Sequence, residues 1–402
     1  MSRPTRGYWL LLLIASAILM ITMGSRQTIG LFIAPLNAAT GLGIVAISLA
    51  AAIGQFTWGL AQPVFGALAD RFGPGRILVL GGLMLTAGIA LTPFVRSESE
   101  LILVLGVLTA AGAGAGSFSI LIGAVLQRLP AERRSFAAGL VNAGGSFGQF
   151  VFAPLLQVII TGFGWVAALL TMAGFCLVTV PLAWPLRGRS GGRTAAGPGE
   201  AVSLGAQLRL AWRDPSYWCL HLGFFTCGFH IAFLVTHLPG QIRLCGLAPL
   251  VSANSLALIG LANMAGSIAA GWLGTRRRMK FLLFALYLSR AVAVLVFLAA
   301  PKTTLTFYVF AIVLGLTWLA TVPPTAGLVG KLFGVRYLAT LFGLTLLSHQ
   351  IGGFFGAWLG GLAVARFGDY TWMWYADAGL ALFAALINLP IREARVMRAV
   401  PA

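Results

Sequence analysis

Long apolar runs, broken by short clusters of charge, glycine and proline, repeat from one end of the chain to the other. Crossing the hydrocarbon core of a bilayer takes about 20 apolar residues as a helix, and only a helix or a closed barrel satisfies its backbone polar groups there. Twelve membrane-spanning helices are predicted, at 8–35, 44–68, 77–95, 101–126, 135–160, 165–186, 216–239, 250–273, 281–300, 305–328, 337–363 and 371–390. The expected fold class is an all-α membrane protein, with little chain left for extramembrane domains.

The first run has the layout of a cleavable signal peptide, with Arg3 and Arg6 ahead of Tyr8 to Met23 and Ala15-Ser16-Ala17 inside it. Apolar sequence nevertheless continues to Pro35, and the segment has a counterpart later in the chain. It is read as the first helix.

That counterpart belongs to an internal repeat. At one nearly constant offset, Gly24, Arg26 and Pro35 align with Gly228, His230 and Pro239. Gly66 and Leu68 then align with Gly271 and Leu273, and Gly139, Leu140 and Gly148 with Gly343, Leu344 and Gly352. A duplicated six-helix unit follows, with an N-terminal bundle at 1–186 and a C-terminal bundle at 216–402. Between them, residues 187–215 carry Arg187, Arg189, Arg193, Arg209 and Arg213 among Gly, Ser and Pro, and read as a cytoplasmic linker.

Composition agrees: of 402 residues, 59% are hydrophobic and 9% charged, with a mean hydropathy of +0.93, whereas soluble domains keep roughly 25% charged. The formal charge of +18 would suggest nucleic acid in a soluble protein, but here the basic residues are dispersed through short connections. About 21 of the 27 Lys and Arg lie in the termini and even-numbered connections, which by the positive-inside rule makes both termini cytoplasmic. Arg96, Arg243, Lys302 and Arg366 lie on the other side, and Arg26 and Arg290 within helices. Cys176, Cys219, Cys227 and Cys245 have no metal-ligand spacing. No metal or cofactor is expected.

The connection after the second helix, Gly66-Ala67-Leu68-Ala69-Asp70-Arg71-Phe72-Gly73-Pro74-Gly75-Arg76, resembles the loop signature of the major facilitator superfamily. Its conformational motif would be Gly66, Asp70, Arg71, Gly73 and Arg76. The counterpart Gly271-Trp272-Leu273-Gly274-Thr275-Arg276-Arg277-Arg278 lacks the acid. Arg133-Arg134-Ser135-Phe136-Ala137-Ala138-Gly139, followed by Ala143-Gly144-Gly145-Ser146-Phe147-Gly148, is similar to the monocarboxylate and oxalate/formate group. The resemblance implies the major facilitator fold of two pseudo-symmetric six-helix bundles, alternating access, and a central cavity lined by helices 1, 4, 7 and 10. Where that group carries a helix-8 arginine this chain has Ser267, and Asn263 stands where eukaryotic members have an aspartate, which puts that group's proton symport mechanism in doubt.

A charged residue at the bilayer centre costs roughly 2.5–3.5 kcal/mol on insertion scales. Arg26, flanked by Gly24, Ser25, Gln27 and Thr28, therefore either faces an anion in the cavity or satisfies backbone carbonyls and snorkels outward. The repeat sets His230 opposite Arg26, where the two would clamp one carboxylate between the halves. His349 and Gln350 on helix 11, Asn142 on helix 5, Gln55 on helix 2 and Asn263 on helix 8 are the further candidates for a polar lining. His237 is either a gate or an interfacial residue. Arg290 and Asp377 lie at compatible depth and are read as a structural charge pair, which sets Asp377 aside as a proton carrier.

The nine acids, Asp70, Glu98, Glu100, Glu132, Glu200, Asp214, Asp369, Asp377 and Glu393, lie nearly all in loops or at helix ends. A cavity without a carboxylate disfavours export of organic cations. Proton coupling would fall to His230 or His349, or to the substrate's own carboxyl group. The expected function is secondary transport of a small organic anion, most simply a monocarboxylate, by symport with a proton or by exchange; efflux of drugs or other neutral or cationic metabolites is the alternative. No nucleophile-and-base constellation suggests an enzyme, and no signalling tail after Pro390 suggests a sensor. A monomer in a bacterial inner membrane is expected, with Arg392, Arg395 and Arg398 near anionic lipid.

Overall fold

Side chains apolar on every face, with backbone groups paired inside each helix, build an all-helical computed structural model that describes residues 5–126, 131–187, 203–334 and 337–394. The N-terminal half comprises α1 (Thr5–Gln27), α2 (Gly30–Thr40), α3 (Ile44–Phe72), α4 (Pro74–Leu91), α5 (Glu98–Leu101), a π-helical stretch Ile102–Thr109, α6 (Ala110–Ala115), α7 (Phe118–Leu126), α8 (Ala131–Phe163) and α9 (Trp165–Leu182). After a short α10 (Leu204–Trp212) come α11 (Pro215–Leu244), α12 (Pro249–Arg276), α13 (Met279–Ala299), α14 (Thr304–Thr317), α15 (Val322–Phe333), α16 (Leu338–Phe367) and α17 (Thr371–Asn388). Among the described residues ten spans are long and apolar enough to cross a membrane. Polar residues dilute the hydropathy of the other two: Ser348, His349 and Gln350 in α16, Asp377 in α17.

Three spans predicted as continuous are interrupted. The first breaks between α1 and α2, where Thr28 Oγ1 donates to the Gly24 and Ser25 carbonyls and competes with the helical ladder. The fourth passes through the π-helical stretch and bends at Gly116–Ser117. The tenth breaks between α14 and α15, because Pro323 and Pro324 bring no N–H to the turn before them. Of the linker, residues 188–202 lie outside the described residues. Its end is α10, capped by Ser203 and tied through Gln207 Nε2 to the Phe333 carbonyl at 3.2 Å.

The repeat is visible as the same packing made twice. A Cβ on Gly148 of α8 would strike the Met20 carbonyl of α1, and one on Gly24 would strike Phe152. In the second half a Cβ on Gly352 of α16 would strike the Phe225 carbonyl of α11, and one on Gly228 the His349 carbonyl. Only glycine lets these backbones approach so closely.

Between the halves, α3 lies along α16 and α12 along α8. Gly361 packs on Ser48, Gly353 on Gln55 and Gly59 on Gln350. Nearer the membrane surface remote from the chain termini, Gly30 of α2 abuts the Val235 and Thr236 carbonyls and Pro239 of α11. Towards the other surface, a Cβ on Gly66, Gly271 or Gly343 would meet nothing within 4 Å. The named contacts thus seal the middle and the end remote from the termini.

The loop after α3 makes the turn its sequence requires. Gly73 ends α3 at φ 91°, a left-handed value that only glycine adopts readily. Its N–H bonds to the Ala69 carbonyl, and Pro74 starts α4. Arg71 and Arg76 are exposed, and Gly75 lies against the Arg187 backbone. The Asp70 side chain and the stretch Arg133–Gly139 lie outside the described side chains.

Candidate functional site

Arg26 reaches the end of α1 just before the break, and its guanidinium is turned into the N-terminal half. Nη2 donates to Gln55 Oε1 of α3 at 2.6 Å, and the charge lies 3.9 Å from the centroid of the Trp58 ring. Gln55 and Trp58 share one face of α3 by their three-residue spacing. Beside them is a cavity of about 70 Å³, bounded by α1, α2, α3, α4, α9 and the fourth span, with Ser25, Thr28, Gln55, Thr92 and Thr109 as its polar residues. The ion pairs among the described residues are His230–Asp377, Lys331–Glu393 and Arg392–Asp214. Arg26 has no carboxylate partner among them, and a guanidinium carries five N–H donors.

Gln55 also stands at the boundary between halves, against Gly353 of α16. Gln350, one turn away, is buried; its Nε2 faces His349 Nδ1 at 3.1 Å and its Oε1 has no partner. Gln149 of α8 is wholly buried with both amide atoms unpartnered, and it packs at Gly260 of α12. Asn263 is engaged on both sides: Nδ2 donates to Ser146 Oγ at 2.8 Å, and Oδ1 accepts from Leu319 N–H at 2.9 Å and from Ser267. Asn142 is half-buried one turn from Ser146.

His230 does not face Arg26. Its Nδ1 lies 2.6 Å from Asp377 Oδ2, both side chains are fully buried, and His230 Nε2 and Asp377 Oδ1 have no partner. The expected clamp of Arg26 and His230 is therefore not formed, since His230 is turned into its own half towards α17. The expected Arg290–Asp377 pair is likewise replaced. Arg290 donates through Nη2 to the Thr317 and Trp318 carbonyls, through Nη1 to Cys227 Sγ at 3.3 Å, and through Nε to Thr317 Oγ1. It caps the carbonyls that the break after α14 leaves open. His237 is buried, with Nε2 2.7 Å from the Ala357 carbonyl and Nδ1 3.4 Å from the Tyr370 hydroxyl.

The family profile of the Major Facilitator Superfamily matches residues 15–357. The chain belongs to that superfamily. It is a transporter rather than an enzyme, as the superfamily and the relatives' names have it. Monocarboxylate transporter 13 of Rattus norvegicus is 28% identical over 397 residues, covering 97% of this chain and 91% of that protein. The oxalate:formate antiporter of Oxalobacter formigenes is 24% identical over 369 residues, covering 90% and 86%. These relatives carry the names of the group whose motif the sequence resembles. Among solved structures, a D-xylose-proton symporter superposes with a TM-score of 0.74 at 14% identity, covering 96% of this chain and 98% of that one. A bacterial homolog to the human lysosomal transporter Spinster gives 0.72 at 14% identity, covering 97% and 95%. Both agree with the major facilitator fold.

For this transporter, sequence reasoning passed over Trp58 and Gln149. Trp58 was discoverable as the residue one turn beyond Gln55. Gln149, next to Gly148, offered the weaker signal of an amide at membrane depth.

Proposed function

We propose that this superfamily member is a secondary transporter of a small organic anion, with a monocarboxylate as the best fit, and that Arg26 binds the carboxylate. The observation that carries this reading is a guanidinium at membrane depth that opens on a cavity, has Gln55 and Trp58 to hold it, and has no carboxylate partner among the described residues. A carboxylate supplies the missing charge and accepts two donors in parallel. The remaining wall, with Ile29, Phe32 and Met172, suits a short apolar tail. Gln350 and Gln149, buried with atoms unpartnered where the halves meet, gain partners as the halves part and substrate or water enters.

His230 and Asp377 give the C-terminal half a buried, hydrogen-bonded imidazole–carboxylate pair, to which we assign proton coupling, in favour of symport over exchange. With the termini cytoplasmic, the closed end is the outer one. A transporter of this kind alternates as the halves rock about a midplane site.

The test is thermal stabilisation of the purified protein by formate, acetate, lactate, pyruvate and butyrate, since a ligand bound only by the folded state raises Tm. Carboxylates should stabilise the wild type, and Arg26→Gln should lose that shift. Stabilisation of both proteins equally by cationic or neutral drugs would instead favour the efflux reading.

A further inference from the structure

A larger cavity, of about 170 Å³, lies between the halves on the far side of the Gly30 contact. Ile33 and Ile160 from the N-terminal half give it an apolar wall, and Arg243, Ser252 and Tyr370 from the C-terminal half give it polar groups. Gly30, which abuts the Val235 carbonyl, lies at its floor. Opening that contact would connect this cavity with the interior of the transporter.

Arg243 occupies the last turn of α11 and belongs to none of the ion pairs among the described residues. Asp369, next to Tyr370, directs one carboxylate oxygen to the Thr371 N–H. The C-terminal wall is tied together by hydrogen bonds. His237 Nε2 faces a carbonyl and so carries the proton, which leaves Nδ1 to accept from Tyr370. Burial pushes the Tyr370 phenol up to about 12 while the Arg243 charge pulls it back, so the guanidinium's field reaches the buried wall.

We propose that this cavity is a second anion site, in which Arg243 captures the carboxylate of a small amphipathic anion while its apolar part rests on Ile33 and Ile160. The site holds substrate at the closed end until the halves part there. This inference rests on the reading of the chain as an anion transporter, but it does not use Arg26, Gln55 or Trp58; Ile33 alone of its named residues also lines the Arg26 cavity.

The experiment is sided transport of radiolabelled lactate, pyruvate and butyrate in proteoliposomes of known orientation. Wild type, Arg243→Gln, Arg243→Lys and Arg26→Gln are compared, each checked for an unchanged Tm in detergent. Loss of one charge-assisted contact should raise KM about ten-fold for uptake started from the face carrying Arg243. From that face kcat should stay within about two-fold, and from the opposite face KM should stay within about two-fold while kcat falls by the matching factor that detailed balance requires; Arg243→Lys should recover part of the loss. Equal KM values for wild type and Arg243→Gln, or an equal rise from both faces, would overturn the second site. If Arg26→Gln behaves as wild type while the sided effect of Arg243→Gln persists, the Arg26 reading falls and this one stands. Failure of the wild type to carry any of the three probes sinks both.

Discussion

Arg290→Ala isolates the contribution of a buried arginine to a broken helix. The guanidinium is 1% exposed and reaches two backbone carbonyls, a hydroxyl and a thiol. Truncation strands the Thr317 and Trp318 carbonyls at roughly 1–3 kcal/mol each. Loss of a cation from a helix C-terminus adds about 0.3–2 kcal/mol. Removing a buried charge gives back part of its desolvation penalty, so the net expectation is about 3 kcal/mol. For a unit of this size, that is a fall of roughly 6–12 °C in Tm. Arg290→Lys keeps the charge but loses the fork, and should melt between the two. Unfolding is best followed by tryptophan fluorescence, since Cys227 touches the guanidinium and a thiol reagent would report the substitution itself. Carboxylate affinity of the folded variant should match wild type. A normal Tm together with lost binding would show that Arg290 serves the substrate and that the capping argument is wrong.

Two further substitutions probe the moving parts. Gly30→Ala places a methyl against the Val235 carbonyl, and overpacking of about 1–3 kcal/mol should shift the population towards opening at that end by roughly 5–150-fold. Labelling of a Ser252→Cys reporter by an impermeant maleimide should rise, and unchanged labelling would show that the contact does not hold the end shut. Asp377→Asn should abolish accumulation driven by a pH gradient yet leave counterflow exchange intact. Retained gradient-driven accumulation would exclude the His230–Asp377 pair from coupling.

The sequence disclosed depth and concealed azimuth. Apolar length placed the spans, and Gly66–Arg76 placed the turn between the second and third, because both depend on local chemistry. Arg26 and His230 were matched in height by the repeat, and Arg290 and Asp377 by position within their helices. Which way each side chain turns depends on how helices rotate about their own axes, and that is set by packing against partners far away in the chain. His230 thus meets Asp377, and Arg290 meets the α14 terminus. The break that draws Arg290 was itself legible in Pro323–Pro324, whereas the α1–α2 break rests on Thr28, an ordinary residue in a helix. Gln55 was found as a polar residue at depth, but its bond to Arg26 requires knowing how α1 lies on α3.

The doubled glycine contacts have a mechanical consequence. Because α1 meets α8, and α11 meets α16, backbone against backbone, no rotamer change can loosen either joint, and each half is stiff about that pair. Yet α8 and α16 also lie against α12 and α3 of the opposite half. The same two helices are therefore welded to one body and slide on the other. Movement between the halves therefore runs along these two seams and the α2–α11 contact at Gly30, and any substitution that stiffens a seam should slow the cycle without weakening substrate binding.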